Sequence, residues 1–381
     1  MNITKLDDLK IWRQYLHKKP ELSQKEFKTA SFIRSQLDIM GVEYETPLPT
    51  ATIAHIKGIS NKYIILRADI DALPICEKNE IEYASQNKGI MHACGHDAHT
   101  TMLLGAVKEL KYLSDLNKLN INILAVFQQS EESFGGADKL IKTFHFEDFD
   151  IDSAYALHVN PDFEEGKIIS RAGPIMASCQ EFAIEIKGKS AHVGIREAGI
   201  NAMNAAVSLY SQVQAIPTYN LDCKHTNIIH IGYMKVGEVM NSVPENGYLE
   251  GTIRTYDIND KDIIVKRITD ICSGVEISTS CKLKVIFRDG YPTLINSEEL
   301  IDRVKHCAEN TSAIFSLKKD PYLLGEDFSF FSKICPINYS FIGIRNEKLG
   351  YTSGLHTSNL MMREEALTYG VDYFVEVAKY F

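Results

Sequence analysis

No uninterrupted apolar run in this 381-residue chain approaches the roughly 20 residues of a bilayer-spanning helix, and no basic and apolar leader opens it. Both absences make a cytoplasmic protein with no membrane partner the expectation. Positive charge is in deficit, with 41 Lys and Arg against 50 Asp and Glu, and the formal charge of -9 works against non-specific nucleic-acid binding. There is neither a basic stripe nor an aromatic platform for single strands. The eight Cys residues lack the spacing of a small disulfide framework and include no C-x-x-C pair, which sets aside a secreted scaffold and a dithiol redox centre. No G-x-S-x-G elbow occurs, so serine hydrolysis has no nucleophile signal. Internal repeats and low-complexity linkers are missing as well.

What is present is a globular composition, 45% hydrophobic and 24% charged, in a chain long enough for two domains. Helical periodicity over residues 5 to 40 breaks at Lys19, Pro20 and Glu21. The apolar runs AHI at 54–56, YIILRADI at 63–70 and INILAVF at 121–127 then alternate with helical segments, one of them beginning near Thr100. This is an α/β pattern, a mostly parallel sheet with helices on its faces, in which ligand-binding side chains collect beyond strand ends. Asp69, Asp71, Cys94, His96, Glu131, Glu132 and His158 all fall at or just past such ends. After Pro174 the order becomes strand, helix, two strands, helix, strand, the split βαβ plan of a small ferredoxin-like α+β domain. The predicted organisation is a catalytic domain over residues 1–174 and 288–381, with residues 175–287 inserted as a lid or dimerisation domain.

The densest chemistry lies in MHACGHDAHTTML, Met91 to Leu103. Cys94 and His96 can converge on one borderline-soft divalent ion where the chain turns from strand to helix. A buried thiol and a helix-capping imidazole explain a lone C-x-H equally well. Further ligand types downstream shift the balance: Glu131 and Glu132 after INILAVFQQS, His158 in AYALHV and His356 in SGLHTS. Adjacent acids can divide the work, with Glu132 on an ion and Glu131 taking a proton from water. As an isolated pair they would read as a helix start, where acids favour the dipole. A closed structural metal site gives no reason for the second acid, whereas a binding-only relative that has lost its chemistry is the alternative of a different class.

The segments YLHKKPELSQKEF, LRADIDALPI, MHACGHDAHT, QQSEESFGGA, ALHVNP, GKSAH, GEVMNSVPENGYLEGTIRTYD, LLGEDFSFF and GLHTSNL span essentially the whole chain. In this order they resemble the di-metal aminoacylase and carboxypeptidase superfamily, in the branch of hippurate hydrolases, indole-acetyl-amino-acid hydrolases and N-acetyldiaminopimelate deacetylases. The resemblance implies two divalent ions, zinc, manganese, cobalt or nickel, held by Cys94, His96, Glu132, His158 and His356, with Cys94 as the bridge. It further implies Glu131 as general base and Asp71 as the residue orienting an imidazole ligand. His192 in GKSAHVG, otherwise a surface histidine, would reach a substrate oxygen on domain closure, in its own or a partner subunit's site. Asn241 and Arg254, otherwise a turn amide and a solvated strand charge, would orient substrate. Gln129 and Asn160 depart from the branch's usual residues without removing a ligand. The implied activity is hydrolysis of a small-molecule N-acyl amino acid by a homodimer. HVNP and LLGEDFSFF are more similar to bacterial N-acetyldiaminopimelate deacetylases of lysine synthesis than to plant conjugate hydrolases. The alternative is a broader aminoacylase, hippurate hydrolase or dipeptidase.

Overall fold

Ile64, Ile65, Leu66 and Ala68 are buried on both faces of the strand Lys62–Asp69, which is why that run shows no polar alternation. The same holds for Asn122–Gln128, buried throughout. In the computed structural model, which describes residues 3–133 and 135–381, these strands lie in an eight-stranded sheet. Its order is Glu43–Glu45, Thr52–Ile56, Asn122–Gln128, Lys62–Asp69, Asp150–Glu164, Ile337–Arg345, Lys167–Ser170 and Ile314–Leu317. The three pairings that join Asn122–Gln128, Lys62–Asp69, Asp150–Glu164 and Ile337–Arg345 are parallel. Antiparallel pairings bring in Thr52–Ile56 on one side and Lys167–Ser170 on the other. The expected parallel sheet is therefore its interior, where side chains from helices and strands close the core.

Two compact units emerge: Met1–Ile175 with Ile295–Asp320 and Asp327–Phe381, and Met176–Leu294 with Pro321–Glu326. In the first, helices Leu6–Lys18 and Phe27–Met40 flank the break around Pro20. The helix expected near Thr100 begins four residues earlier, at His96, and runs to Asp115. Gly95 makes that possible. Its φ is +86°, and a Cβ there would stand 2.3 Å from Val159 Cγ2, so only glycine lets the turn press against the neighbouring strand. Among the described residues, no helix is long and apolar enough to cross a membrane.

The second unit is a four-stranded antiparallel sheet in the order Lys282–Phe287, Ser178–Lys187, Asn246–Thr255 and Asn227–Val236. Helices Ala202–Asn220 and Ile258–Thr279 supply Ala205, Leu209, Val213, Ile264, Ile268 and Val275 to a core completed by Phe182, Ile184, Leu249 and Ile253. These positions recur every four residues in the first helix and after four and seven in the second, so each helix has one face to bury and one left to solvent.

Candidate metal centre

Strand ends and the Gly95 turn in the first unit deliver most of the chemistry: Asp69 closes the strand Lys62–Asp69, Asp71 follows two residues on, and Cys94 and His96 flank Gly95. His158, expected at a strand end, instead lies in the middle of Asp150–Glu164, because that strand runs on past it as a 15-residue element. Glu131 and Glu132 leave the strand Asn122–Gln128 after Ser130, whose φ of 58° is a left-handed conformation costly for a residue with a Cβ. Two buried contacts hold that bend: Ser130 N–H donates to Glu26 Oε1 at 2.9 Å and Gly136 N–H to the Ser130 carbonyl at 3.2 Å. His356 is also left-handed, at φ 57°, and its N–H donates to the Ala93 carbonyl at 2.8 Å, which ties its loop to the Cys94 turn.

The five expected ligands come together. Cys94 Sγ lies 3.4 Å from His158 Nε2 and 3.3 Å from His356 Nε2. Glu132 Oε1 is 3.3 Å from His356 Nε2 and 3.8 Å from His96 Nε2. The ligand atoms of Cys94, Glu132 and His356 form one cluster within 4.8 Å, and those of His96, Glu131 and Glu132 another. Glu132 thus belongs to both, and Cys94 touches an imidazole on either side. Asp71 organises the acids: Oδ1 accepts the Glu131 N–H at 3.1 Å and Oδ2 the Glu132 N–H at 3.0 Å, with Ser23 Oγ at 2.7 Å and His96 Nδ1 at 3.3 Å.

The donor set and its electrostatics fit divalent cations. His96 Nε2 and Glu132 Oε1 are buried and neither has a hydrogen-bond partner among the described residues, a costly state unless something else accepts their lone pairs. Burial, then the charges of Glu132, Glu131 and Asp69, hold the Cys94 thiol well above the usual cysteine range. The centre is short of positive charge. Burial alone would push His96 down, yet Asp69, the hydrogen bond to Asp71 and Glu132 carry it up to about 10. Burial holds His158 far below 6.5, which leaves it neutral. Thiolate, neutral imidazole and carboxylate together suit borderline-soft divalent ions better than calcium.

Around the centre lies a charged network that short motifs did not reveal. Arg67, 2% exposed, donates to Gln128 Oε1, Asp69 Oδ2 and Asp327 Oδ1 at 2.8–2.9 Å. Asp69 in turn accepts from His99 Nδ1 at 2.6 Å. Behind the same helix, Asp97 binds His17 at 2.8 Å and Arg13 at 3.2 Å, and His17 reaches Glu77 at 3.1 Å. The strand run LRAD hides Arg67 among apolar neighbours, and the partners are dispersed from Arg13 to Asp327, so their only sequence signal was a charge where a buried strand should have none.

His192, Asn241 and Arg254 belong to the second unit. His192 caps the short turn Val193–Ala198, its Nδ1 accepting the Gly194 N–H at 3.1 Å, and is exposed. The Asn241 carbonyl accepts the Val193 N–H at 3.1 Å, so the two loops lie side by side. Arg254 is half-buried on the strand Asn246–Thr255, in register with Cys179.

The sequence profile of Peptidase family M20/M25/M40 matches residues 65–380. An uncharacterized hydrolase of Staphylococcus saprophyticus is 42% identical over 377 residues, 99% of this chain and 98% of that protein. Among solved structures, a putative aminohydrolase from methicillin-resistant Staphylococcus aureus superposes with a TM-score of 0.92 at 27% identity, covering 100% of this chain and 99% of that one. A dinuclear metal-binding M20 peptidase of Bacillus subtilis superposes with a TM-score of 0.83 at 28% identity, covering 98% and 97%.

Proposed function

The chain belongs to peptidase family M20/M25/M40 and is a metal-dependent hydrolase of amide or peptide bonds, and on that premise we propose that it deacylates a small N-acyl amino acid, N-acetyl-LL-2,6-diaminopimelate, in lysine synthesis. The observation that carries the reading is the pair Glu131 and Glu132, both held at the backbone by Asp71, with Glu132 beside Cys94, His96 and His356, and His158 beside Cys94, as a ligand set for two cations. Divalent cations held there supply Lewis acidity, lowering the pKa of a water and polarising the amide carbonyl. Glu131 takes the proton of the attacking water and returns one to the departing amine, leaving a carboxylate and a free amino acid. Its neighbour cannot do this while serving as a ligand, which is the reason for two acids.

His192 is assigned to the carbonyl oxygen, Asn241 to orienting substrate and Arg254 to a substrate carboxylate, on family resemblance rather than on distance. We assign a homodimer to the second unit. Its strand Asn227–Val236 is an open sheet edge, with Tyr233 50% and Met234 41% exposed, and Val207 on the adjacent helix is 57% exposed. Light scattering at assay concentration reads the mass directly, and a sharp monomer removes that assignment.

The description of the Bacillus subtilis protein as a peptidase makes small dipeptides the second reading. Comparing kcat/KM for N-acetyldiaminopimelate, N-acetylmethionine, hippurate and dipeptides under one metal condition separates the two. Turnover of the aminoacyl or dipeptide substrates without the diaminopimelate compound would discard the biosynthetic role and keep the hydrolase.

A further inference from the structure

His99 sits one turn beyond His96, is 1% exposed, and has both ring nitrogens engaged. Its Nε2 accepts the backbone N–H of Val159 at 2.9 Å, and its Nδ1 faces Asp69 Oδ1 at 2.6 Å. A backbone N–H can only donate, so Nε2 carries the lone pair and the single ring proton is on Nδ1, given to Asp69. Asp69 has both carboxylate oxygens engaged, with Arg67 Nη1 on the other at 2.8 Å. Although the ligand atoms of Asp69, His96, His99 and His158 lie within 4.8 Å of one another, these bonds occupy both nitrogens of His99 and exclude it as a cation ligand.

The other end of this strut is Val159. The register of strand Asp150–Glu164 with Lys62–Asp69 ends at Arg67↔Ala156, so beyond that point the imidazole takes the place of a ladder carbonyl. Val159 follows His158 directly, and its carbonyl accepts from His158 Nδ1 at 2.7 Å. That bond puts the His158 proton on Nδ1 and leaves the Nε2 lone pair facing Cys94 Sγ. Val159 also meets the Gly95 turn that carries Cys94 and His96. One residue therefore relates the two ligand-bearing segments, and its amide is held by His99.

We propose that His99 is a positioning residue: a neutral imidazole strut between Asp69 and the Val159 N–H that sets the tautomer and aim of His158 toward the cations. This rests on the assignment of Cys94, His96, Glu132, His158 and His356 as ligands. Outer partners of metal-binding imidazoles characteristically change affinity by about 10–100-fold when removed.

Three variants of the full-length chain test it, each titrated with cobalt(II) against a competing chelator and read by stoichiometry, affinity and the visible d–d spectrum. His99→Phe fills the space but removes both bonds. His99→Gln reaches the Nε2 position and keeps an acceptor for Val159; His99→Asn reaches only the Nδ1 position and keeps a donor for Asp69. The expected result is affinity weakened at least about tenfold with an altered spectrum in His99→Phe, and Gln closer to wild type than Asn. Wild-type affinity and spectrum in His99→Phe overturn the proposal, as does recovery by Asn but not Gln. Should the Phe variant fail to fold, the order of Gln and Asn decides. A wild-type chain that takes up fewer than two ions overturns the ligand reading and this inference together, whereas two ions in wild type with indifferent variants removes His99 alone.

Discussion

Replacing Asp71 with asparagine changes one atom and tests how the glutamate pair is held. Asp71 is 1% exposed and accepts from Ser23 Oγ and the Glu132 N–H on one oxygen, and from the Glu131 N–H and His96 Nδ1 on the other. An amide keeps only one acceptor oxygen. Its best orientation turns the NH2 toward Ser23, whose hydroxyl can rotate to accept, and leaves the Glu132 N–H facing a donor. An unpaired buried donor costs about 1–3 kcal/mol, and loss of the charge weakens the remaining bonds, so Asp71→Asn should destabilise by about 2–4 kcal/mol. With a urea m-value of about 2–3 kcal/mol/M the midpoint of the chelator-treated protein falls by about 1 M. Glu132 loses its backbone anchor, so cation affinity should fall by about 10–100-fold. Asp71→Ala, which leaves all four donors without an acceptor, should be worse on both readouts. Unchanged midpoint and unchanged affinity in Asp71→Asn refute the idea that this carboxylate builds the site.

Glu131→Gln should retain both ions and the fold while turnover drops at least roughly a hundredfold, because the amide cannot accept the proton; near-normal kcat excludes Glu131 as base. Cys94→Ser and His96→Ala should each lower metal content and activity of gently purified protein, and full occupancy with full activity in both would sink the ligand set. His17 gives a pH test. Burial alone would push it down, but Asp97 and the hydrogen bonds to Asp97 and Glu77 hold its folded pKa above the usual 6.5. Its stabilisation is therefore complete below pH 6.5 and is lost as pH rises through the folded value. His17→Gln should cost most at acidic pH and flatten that decline, and a penalty equal at both ends of the range would contradict a protonated His17.

The residue types gathered at the candidate centre, and their order, were legible along the chain because each occupies a short segment: C-x-H at a glycine turn, two adjacent acids after a buried strand, single histidines in ALHV and GLHT. Strand interiors were legible too, since burial on both faces leaves runs such as Ile64 to Leu66 with no polar interruption. The beginning of the helix at His96 was not. It depends on how close the Gly95 turn can come to Val159, a contact across 64 residues of sequence.

Sequence by itself therefore determined the α/β class, the split βαβ unit and the chemical inventory of the centre, because hydrophobic period and residue type are local properties. Tertiary structure alone decided that Glu132 meets His356, that Arg67 is paid for by three buried acceptors, and that His99 holds Val159 while Asp69 holds His99. Apart from Arg67 with Asp69, two residues apart on one strand, those are pairings of single groups from distant segments, and hydrogen-bond geometry, which chooses one partner and one tautomer, exists only once the strands and helices have brought the groups within about 3 Å.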